Sequence, residues 1–476
     1  MNIILKGFDD SMSKILTESM VKGLSIETCI SIGDKPEQLP DLGDAEHIWM
    51  SADLLRKGQY PDVDWNAVPP LDEELIESMR ECEATFLTMV GRYGIYKDIP
   101  YDERKRQYYR HLRYWNYILD EQSIDIFILR GPPHQCYDLV IYELCKQKDI
   151  RTISICPFHA VGSVTVEENW KEIGCSIGKR YTELLEEYAT SQDIPLSNEF
   201  EGHFQRFAKE EKELWYMKNV HTKSNQRSFI SIWIRPAIHT LVRKPLYLLQ
   251  CLFSAAFWKR KIDQHATRNM YDTYACEPDL TVPYVYVPLH LQPEASTSPM
   301  GGVFVDQELM VQLLAAYLPD GVRIYIKENP KQGERMRSKE FYEALLDIPQ
   351  ASFVPRSFST FVLTKNAIAI ASVTGTACFE ALFKGKPSMM FGHKHFQYAP
   401  GVHKVHTIEE CQRAIEDIIT KKQCPTEQEG RLYLKAIEEA AERGYRKEPT
   451  RRPEESMEER TTKIGEYVRR KILHED

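Results

Sequence analysis

Three observations predict an α/β architecture of two parallel-sheet units joined by a different kind of segment. Short apolar strands alternate with amphipathic helices from Asn2 to Cys156, and the alternation resumes at Tyr284 and runs to Phe391. Ala367 to Ala371 is an unbroken apolar run, the mark of a strand covered on both faces. Between the two units the composition changes: from Arg227 to Ile262 there is no Asp or Glu. With 476 residues the chain has room for two or three domains.

The elements follow in order. Asn2 to Lys6 is a strand and Ser11 to Leu24 is helical by period. Thr28 to Ile32 and His47 to Met50 are strands; Leu71 to Val90 and Tyr101 to Leu119 are long helices. Ile124 to Leu129 is the clearest strand of the first unit. It runs into Arg130-Gly131-Pro132-Pro133-His134, then a helix from Gln135 to Lys148 and a strand from Arg151 to Cys156. The stretch from Ser176 to Gln226 is polar and helical.

The second unit opens with the strand Tyr284 to Leu289 and the loop His290 to Thr297. A helix from Asp306 to Tyr317, a strand from Val322 to Lys327 and the turn Glu328-Asn329-Pro330 come next. Helix Glu334 to Asp347, strand Ser352 to Pro355 and helix Ser359 to Lys365 lead to Ile368 to Gly392, which reads strand, tight turn, helix, turn, strand. Gly385 suits a helix C-cap and Pro387 cannot continue the turn. A helix from Ile408 to Ile419 and a charged helical tail after Pro425 complete the chain. The expected division is 1–200, a Rossmann-like acceptor domain; 201–280, a basic helical connector; 281–424, a Rossmann-like nucleotide-sugar domain; and 425–476, the tail.

Composition removes several classes of function. A net charge of -9 argues against general nucleic-acid binding. The cysteines number 11, scattered from Cys29 to Cys424 without a CxxC pair, the usage of a reducing cytoplasm with no structural zinc site. No leader is visible before the first strand, and no apolar run reaches the roughly 20 residues of a membrane span. The GxGxxG and GxxxxGK[ST] patterns are absent, which argues against a dehydrogenase or a P-loop kinase.

Ligands of open parallel sheets sit beyond the carboxyl ends of the strands. Those ends supply Gly131 to His134 from the first unit, and His290 to Thr297, Lys327 to Pro330 and Thr374-Gly375-Thr376 from the second. The small-residue turn at Thr374 to Thr376 stands before a helix, where backbone N–H groups can hold a phosphate. Lys327 is expected to assist, and Glu380 to reach sugar hydroxyls. Glu294 is expected either to take a proton from an acceptor hydroxyl or to stabilise a cationic sugar. His134 and Asp138, four apart, share a helix face; His134 is read either as an acceptor-site base or as a turn histidine capping the helix. The arrangement is what transfer from a nucleotide-activated donor requires. The donor is then a substrate, and no cofactor is expected.

From Arg227 to Ile262 seven Lys or Arg residues are interleaved with aromatic and aliphatic ones, among them Trp233, Phe253, Phe257 and Trp258. Such a segment suits an anionic membrane surface, with a packed helical hairpin as the other reading.

Pro288 to Thr297, Lys327-Glu328-Asn329-Pro330 and Thr374-Gly375-Thr376 with Glu380-Ala381-Leu382 and Gly385-Lys386-Pro387 resemble the capsule polysaccharide biosynthesis family, which includes the Kdo transferases of bacterial capsule assembly. The resemblance covers Tyr284 to Gly392 and implies a GT-B fold, a nucleotide-sugar donor and a glycan or lipid-linked glycan acceptor met at the cytoplasmic face of the inner membrane. It adds His290, Gln292 and Asn329 to the expected donor site. Two departures bear on the donor. His290 and Glu294 stand where Kdo-transferring members have a glutamine and, four residues on, an aspartate, and Asn329-Pro330 replaces a frequent His-Pro. A CMP-linked ulosonic acid and an NDP-sugar both stay open, as does the stereochemistry. A non-catalytic GT-B-like subunit and a UDP-sugar 2-epimerase are the alternative functions.

Overall fold

A computed structural model of the chain describes residues 1–36, 42–91, 99–191, 193–209, 267, 270–332, 337–443 and 455–474. The basic segment Arg227 to Ile262 and the start of the expected helix at Glu334 lie outside them.

The first unit is built from β1 (Asn2–Lys6), α1 (Ser13–Val21), β2 (Thr28–Gly33), β3 (Glu46–Ser51), α2 (Ala52–Arg56), α3 (Glu73–Ser78), α4 (Arg80–Val90), α5 (Tyr101–Glu121), β4 (Ile126–Arg130), α6 (Tyr137–Gln147), β5 (Arg151–Phe158) and β6 (Ser163–Glu167). The single helix expected over Leu71 to Val90 is two, because the chain leaves helical geometry at Met79 (φ -102°, ψ 16°). The carboxylate of Asp72 caps the first by accepting from the amide of Leu75. Strands β5, β4, β1, β2 and β3 are parallel in that spatial order, and β6 adds antiparallel to β5. β6 had not been anticipated: its reversal at Ala160 to Gly162 is short, and its residues are wholly buried rather than alternating.

Two helices, α7 (Cys175–Glu187) and α8 (Asn198–Ala208), lead away from this sheet. The second unit comprises β7 (Tyr284–Pro288), α9 (Gln307–Tyr317), β8 (Arg323–Lys327), α10 (Lys339–Leu346), β9 (Ala351–Phe353), α11 (Thr360–Asn366), β10 (Ala369–Ser372), α12 (Thr376–Leu382), β11 (Ser388–Met390), β12 (Val402–Lys404) and α13 (Ile408–Ile415). Its six strands are all parallel, in the order β9-β8-β7-β10-β11-β12. That is the doubly wound Rossmann order, with the reversal between β7 and β10. The chain therefore has two Rossmann-like parallel-sheet units, the GT-B-like arrangement.

The tail packs on both units. α14 (Glu427–Ala440) packs on α7 and α8, β13 (Glu442–Arg443) pairs antiparallel with β6, and α15 (Met457–Leu473) lies along α1. Arg151 at the start of β5 anchors the end of α15 by donating to the carbonyls of Lys471 and Ile472, both at 2.6 Å. The last part of the chain thus completes the first sheet.

Both sheets are covered on both faces. One apolar core runs without interruption from Phe158 and α7 and α8 through Tyr286, Phe379 and Phe396 to Tyr433 on α14. The two units share it, so they are packed together rather than linked as beads. Gly174 shows how closely: at φ +88°, an added Cβ would stand 2.1 Å from the carbonyl oxygen of His395.

Candidate active site

The carboxyl ends of β7 and β10 diverge at the order reversal of the second sheet, the place where open α/β sheets hold ligands. A cleft of about 690 Å³ opens there. The β7 loop contributes His290, Glu294 and Ser296; the end of β8, Lys327 and Asn329; the turn after β10, Thr374, Gly375 and Thr376; and α12, Glu380. Pro157 to Ala160, the end of β5 and the start of the turn after it, form the facing wall.

A hydrogen bond crosses the switch point itself. The amide of Thr374 donates to Nε2 of His290 over 3.2 Å, which places the proton of the neutral ring on Nδ1. Burial, with Lys394 and Arg337 nearby, pushes the His290 pKa down to about 3. The ring is therefore neutral and offers one N–H. Thr374 also donates its hydroxyl to the carbonyl of Ser296 at 2.7 Å. Its amide and hydroxyl both serve to hold the β7 loop against the β10 turn, and the amide expected to meet a phosphate is already engaged.

Gly375 is closely surrounded inside the turn. A Cβ there would stand 2.5 Å from Oγ of Ser372 and 3.2 Å from Nε2 of His290. The missing side chain makes room for these two neighbours inside the turn. Ser372 Oγ in turn donates to the carbonyl of Pro288 at 3.4 Å, so the turn is stitched to both strands.

Glu294 is exposed at the cleft mouth. Its carboxylate accepts from the hydroxyl of Ser296 at 2.7 Å and its amide donates to Oγ1 of Thr297 at 3.3 Å. Glu380 is half-buried. Burial lifts its pKa to about 7, against the opposing effects of the Thr376 hydroxyl, Arg206 and Lys384. Near neutral pH this carboxyl is partly protonated and can donate a hydrogen bond.

Lys327 is engaged by the protein. Its ammonium donates to the carbonyl of Phe358 at 2.6 Å and to Oγ1 of Thr360 at 3.0 Å, tying β8 to the loop before α11. Asn329 accepts at its side-chain oxygen from the amide of Lys331 at 2.9 Å, which closes the turn after β8. Beneath it Glu328, fully buried, accepts from Nε of Arg337 at 3.1 Å and from the hydroxyl of Tyr342 at 2.6 Å.

Three expected residues lie outside the cleft lining, each with a structural task. Gln292 donates to the carbonyl of Val305, accepts from Nε2 of Gln307 at 3.0 Å and accepts from Arg337. It fixes the base of the β7 loop. Asp138 is completely buried in an ion pair with Lys6 at 2.8 Å. It also accepts from the amides of His134 at 3.1 Å and Gln135 at 2.7 Å. Burial works to raise this carboxyl, yet Lys6, His134 and the amide bonds hold it below the usual carboxylate range. The ring of His134 is hydrogen-bonded through Nδ1 to the carbonyl of Pro132 at 2.7 Å. Asp138 thus closes the turn between β4 and α6, where Cys136 takes a positive φ of 70°.

Sequence reasoning missed the segment after β11. Lys394 and Phe396 line the cleft. Burial pulls the Lys394 ammonium below the usual lysine range, while Cys156 and Glu294 act the other way. The signal was available, since Lys394 stands just past a strand end in the second sheet. The aromatic wall from the first unit, Phe158, gave none. It is placed by stacking on His395, with ring centroids 4.6 Å apart and an interplanar angle of 10°.

Residues 256–423 match the family model described as Capsule polysaccharide biosynthesis protein, and the motifs read from Tyr284 to Gly392 fall inside that match. No curated protein matches the chain. Among solved structures it is similar to a UDP-GlcNAc 2-epimerase from Methanocaldococcus jannaschii (12% identity, 92% of this chain and 98% of that one, TM-score 0.27). It is also similar to Thermosulfurimonas dismutans KpsC, beta Kdo 2,7 transferase (9%, 72% and 91%, TM-score 0.28). A third likeness is a structure described as trehalose-6-phosphate from E. coli bound with UDP-2-fluoro glucose (9%, 100% and 98%, TM-score 0.27). At these identities and scores no substrate or activity passes from them to this chain.

Proposed function

We propose that the protein is a glycosyltransferase that moves a sugar from a nucleotide-activated donor, a CMP-linked ulosonic acid or an NDP-sugar, to a surface or capsular glycan acceptor. The observation that carries this reading is the cleft at the β7/β10 switch point, inside the stretch that matches the capsule polysaccharide biosynthesis model, with a carboxylate, a neutral imidazole and a cation on its walls. The donor lies on the second unit, with its sugar near Glu380 and the N–H of His290 directed to an oxygen of the donor. Glu294, exposed at the mouth, meets the acceptor hydroxyl. In an inverting course it takes the hydroxyl proton as the acceptor oxygen bonds to the anomeric carbon; in a retaining course it forms a glycosyl intermediate first.

The test is a donor screen followed by nucleotide release, with and without lipid-linked acceptors. Glu294→Gln keeps the shape and removes the charge. Turnover is expected to fall at least ~100-fold with nucleotide binding nearly unchanged, in line with the ~10²–10⁴ contribution of acid–base groups. Near-normal turnover in that variant removes Glu294 from the chemistry. Absence of nucleotide binding in the wild type removes the transferase reading and leaves the non-catalytic subunit.

A further inference from the structure

Two of the expected phosphate contacts at the cleft are taken by the protein itself: Lys327 by Phe358 and Thr360, and the Thr374 amide by His290. Transfer from a nucleotide donor leaves negative charge on a phosphate oxygen, which a nearby cation stabilises. Resting on the function proposed above, we infer that Lys394 is the cation that receives the leaving phosphate of the donor.

Three observations place it. Lys394 lines the same cleft as Glu294 and is within electrostatic reach of it. Its ammonium makes no hydrogen bond with the protein among the described residues, in contrast to Lys327. Its backbone is pinned on both sides. The amide of His393 donates to the carbonyl of Met300 at 2.8 Å, His395 is bonded through Nε2 to the carbonyl of Cys156 at 3.1 Å, and the hydroxyl of Tyr433 donates to the His395 carbonyl at 3.0 Å. A long flexible side chain is thereby launched from a fixed point at the seam of the two units. Lys331 also lines the cleft, but from an exposed turn.

The step balances as follows. The bond between the anomeric carbon and the donor phosphate oxygen breaks, and its electron pair stays on that oxygen beside Lys394. The acceptor oxygen bonds to the anomeric carbon either directly, its proton passing to the Glu294 carboxylate, or after a glycosyl–Glu294 intermediate, whose ester bond then breaks with its electron pair returning to the Glu294 oxygen, which takes the proton. Lys394 gives up no proton in this scheme; it neutralises charge.

Calorimetry with CMP, CDP, UDP and GDP against their nucleosides separates phosphate recognition from base recognition. The wild type is expected to prefer nucleotide to nucleoside. In Lys394→Met that preference should fall roughly ten- to a hundredfold, the value of a charge-assisted hydrogen bond, with nucleoside affinity unchanged. Lys394→Arg should keep most of the preference, and an unaltered near-UV circular dichroism spectrum in both variants shows that they fold. A wild type that binds none of the four nucleotides overturns the transferase reading and this inference with it. A wild type that prefers nucleotide and a folded Lys394→Met that keeps the full preference overturn the inference alone.

Discussion

Glu380 offers a measurable consequence of placing a carboxyl in the cleft wall. It stands on α12, half-buried beside Thr376, and burial lifts its pKa from the usual 4.5 to about 7. In the unfolded chain the same group titrates near its ordinary value. The folded protein therefore holds this proton more tightly, and the resulting stability is fully present below about pH 4.5 and lost as pH rises through about 7. At ~1.4 kcal/mol per pKa unit, the difference between the two ends of the window is up to about 3 kcal/mol. Glu380→Gln keeps the volume and a hydrogen-bonding amide but never ionises. The wild type and variant should show similar urea midpoints at pH 4.5, and the variant should become the more stable as pH rises, by up to about 3 kcal/mol at pH 8.5. Parallel stability curves across that range would mean that Glu380 is as well solvated in the folded cleft as in the unfolded chain, and its use as a neutral donor to sugar hydroxyls would fall with it.

The remaining expectations concern the turn, the buried ion pair and the basic segment. Gly375→Ala should destabilise the protein by about 1–3 kcal/mol, the usual range for overpacking, because the new methyl meets the Ser372 hydroxyl. Ser372→Ala added to it should recover most of that loss; an unrecovered double variant would place the strain elsewhere. Lys6→Met leaves Asp138 buried without its partner and should lower stability by about 3–5 kcal/mol, while the folded fraction keeps its turnover. A large fall in turnover per folded molecule would return the Asp138 region to the chemistry. The segment Arg227 to Ile262 lies outside the described residues, and its test is cosedimentation with anionic vesicles that weakens as salt is raised. Vesicles ignored at low salt would favour the packed-hairpin reading.

What could be read from the chain and what could not divide along a physical line. The central parallel strands were legible because burial on both faces forces contiguous apolar residues, as in Ile126 to Leu129 and Tyr284 to Val287. The β7 and β10 loops were legible because strand ends in such sheets point to ligands. Their internal wiring was not. Whether a threonine amide faces a phosphate or a histidine ring depends on contacts between residues some eighty positions apart, here the 84 that separate His290 from Thr374. The same holds for Lys327, whose partners Phe358 and Thr360 come from another loop. Edge elements escaped for a different reason. β13 is two residues long and exists only because β6 offers it an open edge, so no local pattern announces it.

The wiring changes what the motif residues mean. Thr374, expected from the turn, and Gln292, added by the resemblance, were read as donor contacts, yet both are engaged in holding the β7 loop. That loop carries His290 and Glu294 into the cleft. A small-residue turn at this switch point lets two loops approach closely enough to share a hydrogen bond. Arg337 extends the same scaffold downward, holding the carbonyl of His290 at 2.8 Å while paired with Glu328. The first unit completes the site from the other side, since Phe158 is stacked on His395 and Lys394 stands directly before that histidine. The position of the proposed phosphate cation is therefore set by the packing of one unit against the other. A substitution such as Gly174→Ala, remote from the cleft, should disturb nucleotide affinity through His395, because its methyl would stand 2.1 Å from that residue's carbonyl oxygen. Calorimetry of a folded Gly174→Ala variant checks this, and an affinity equal to that of the wild type would show that the seam and the cleft are independent.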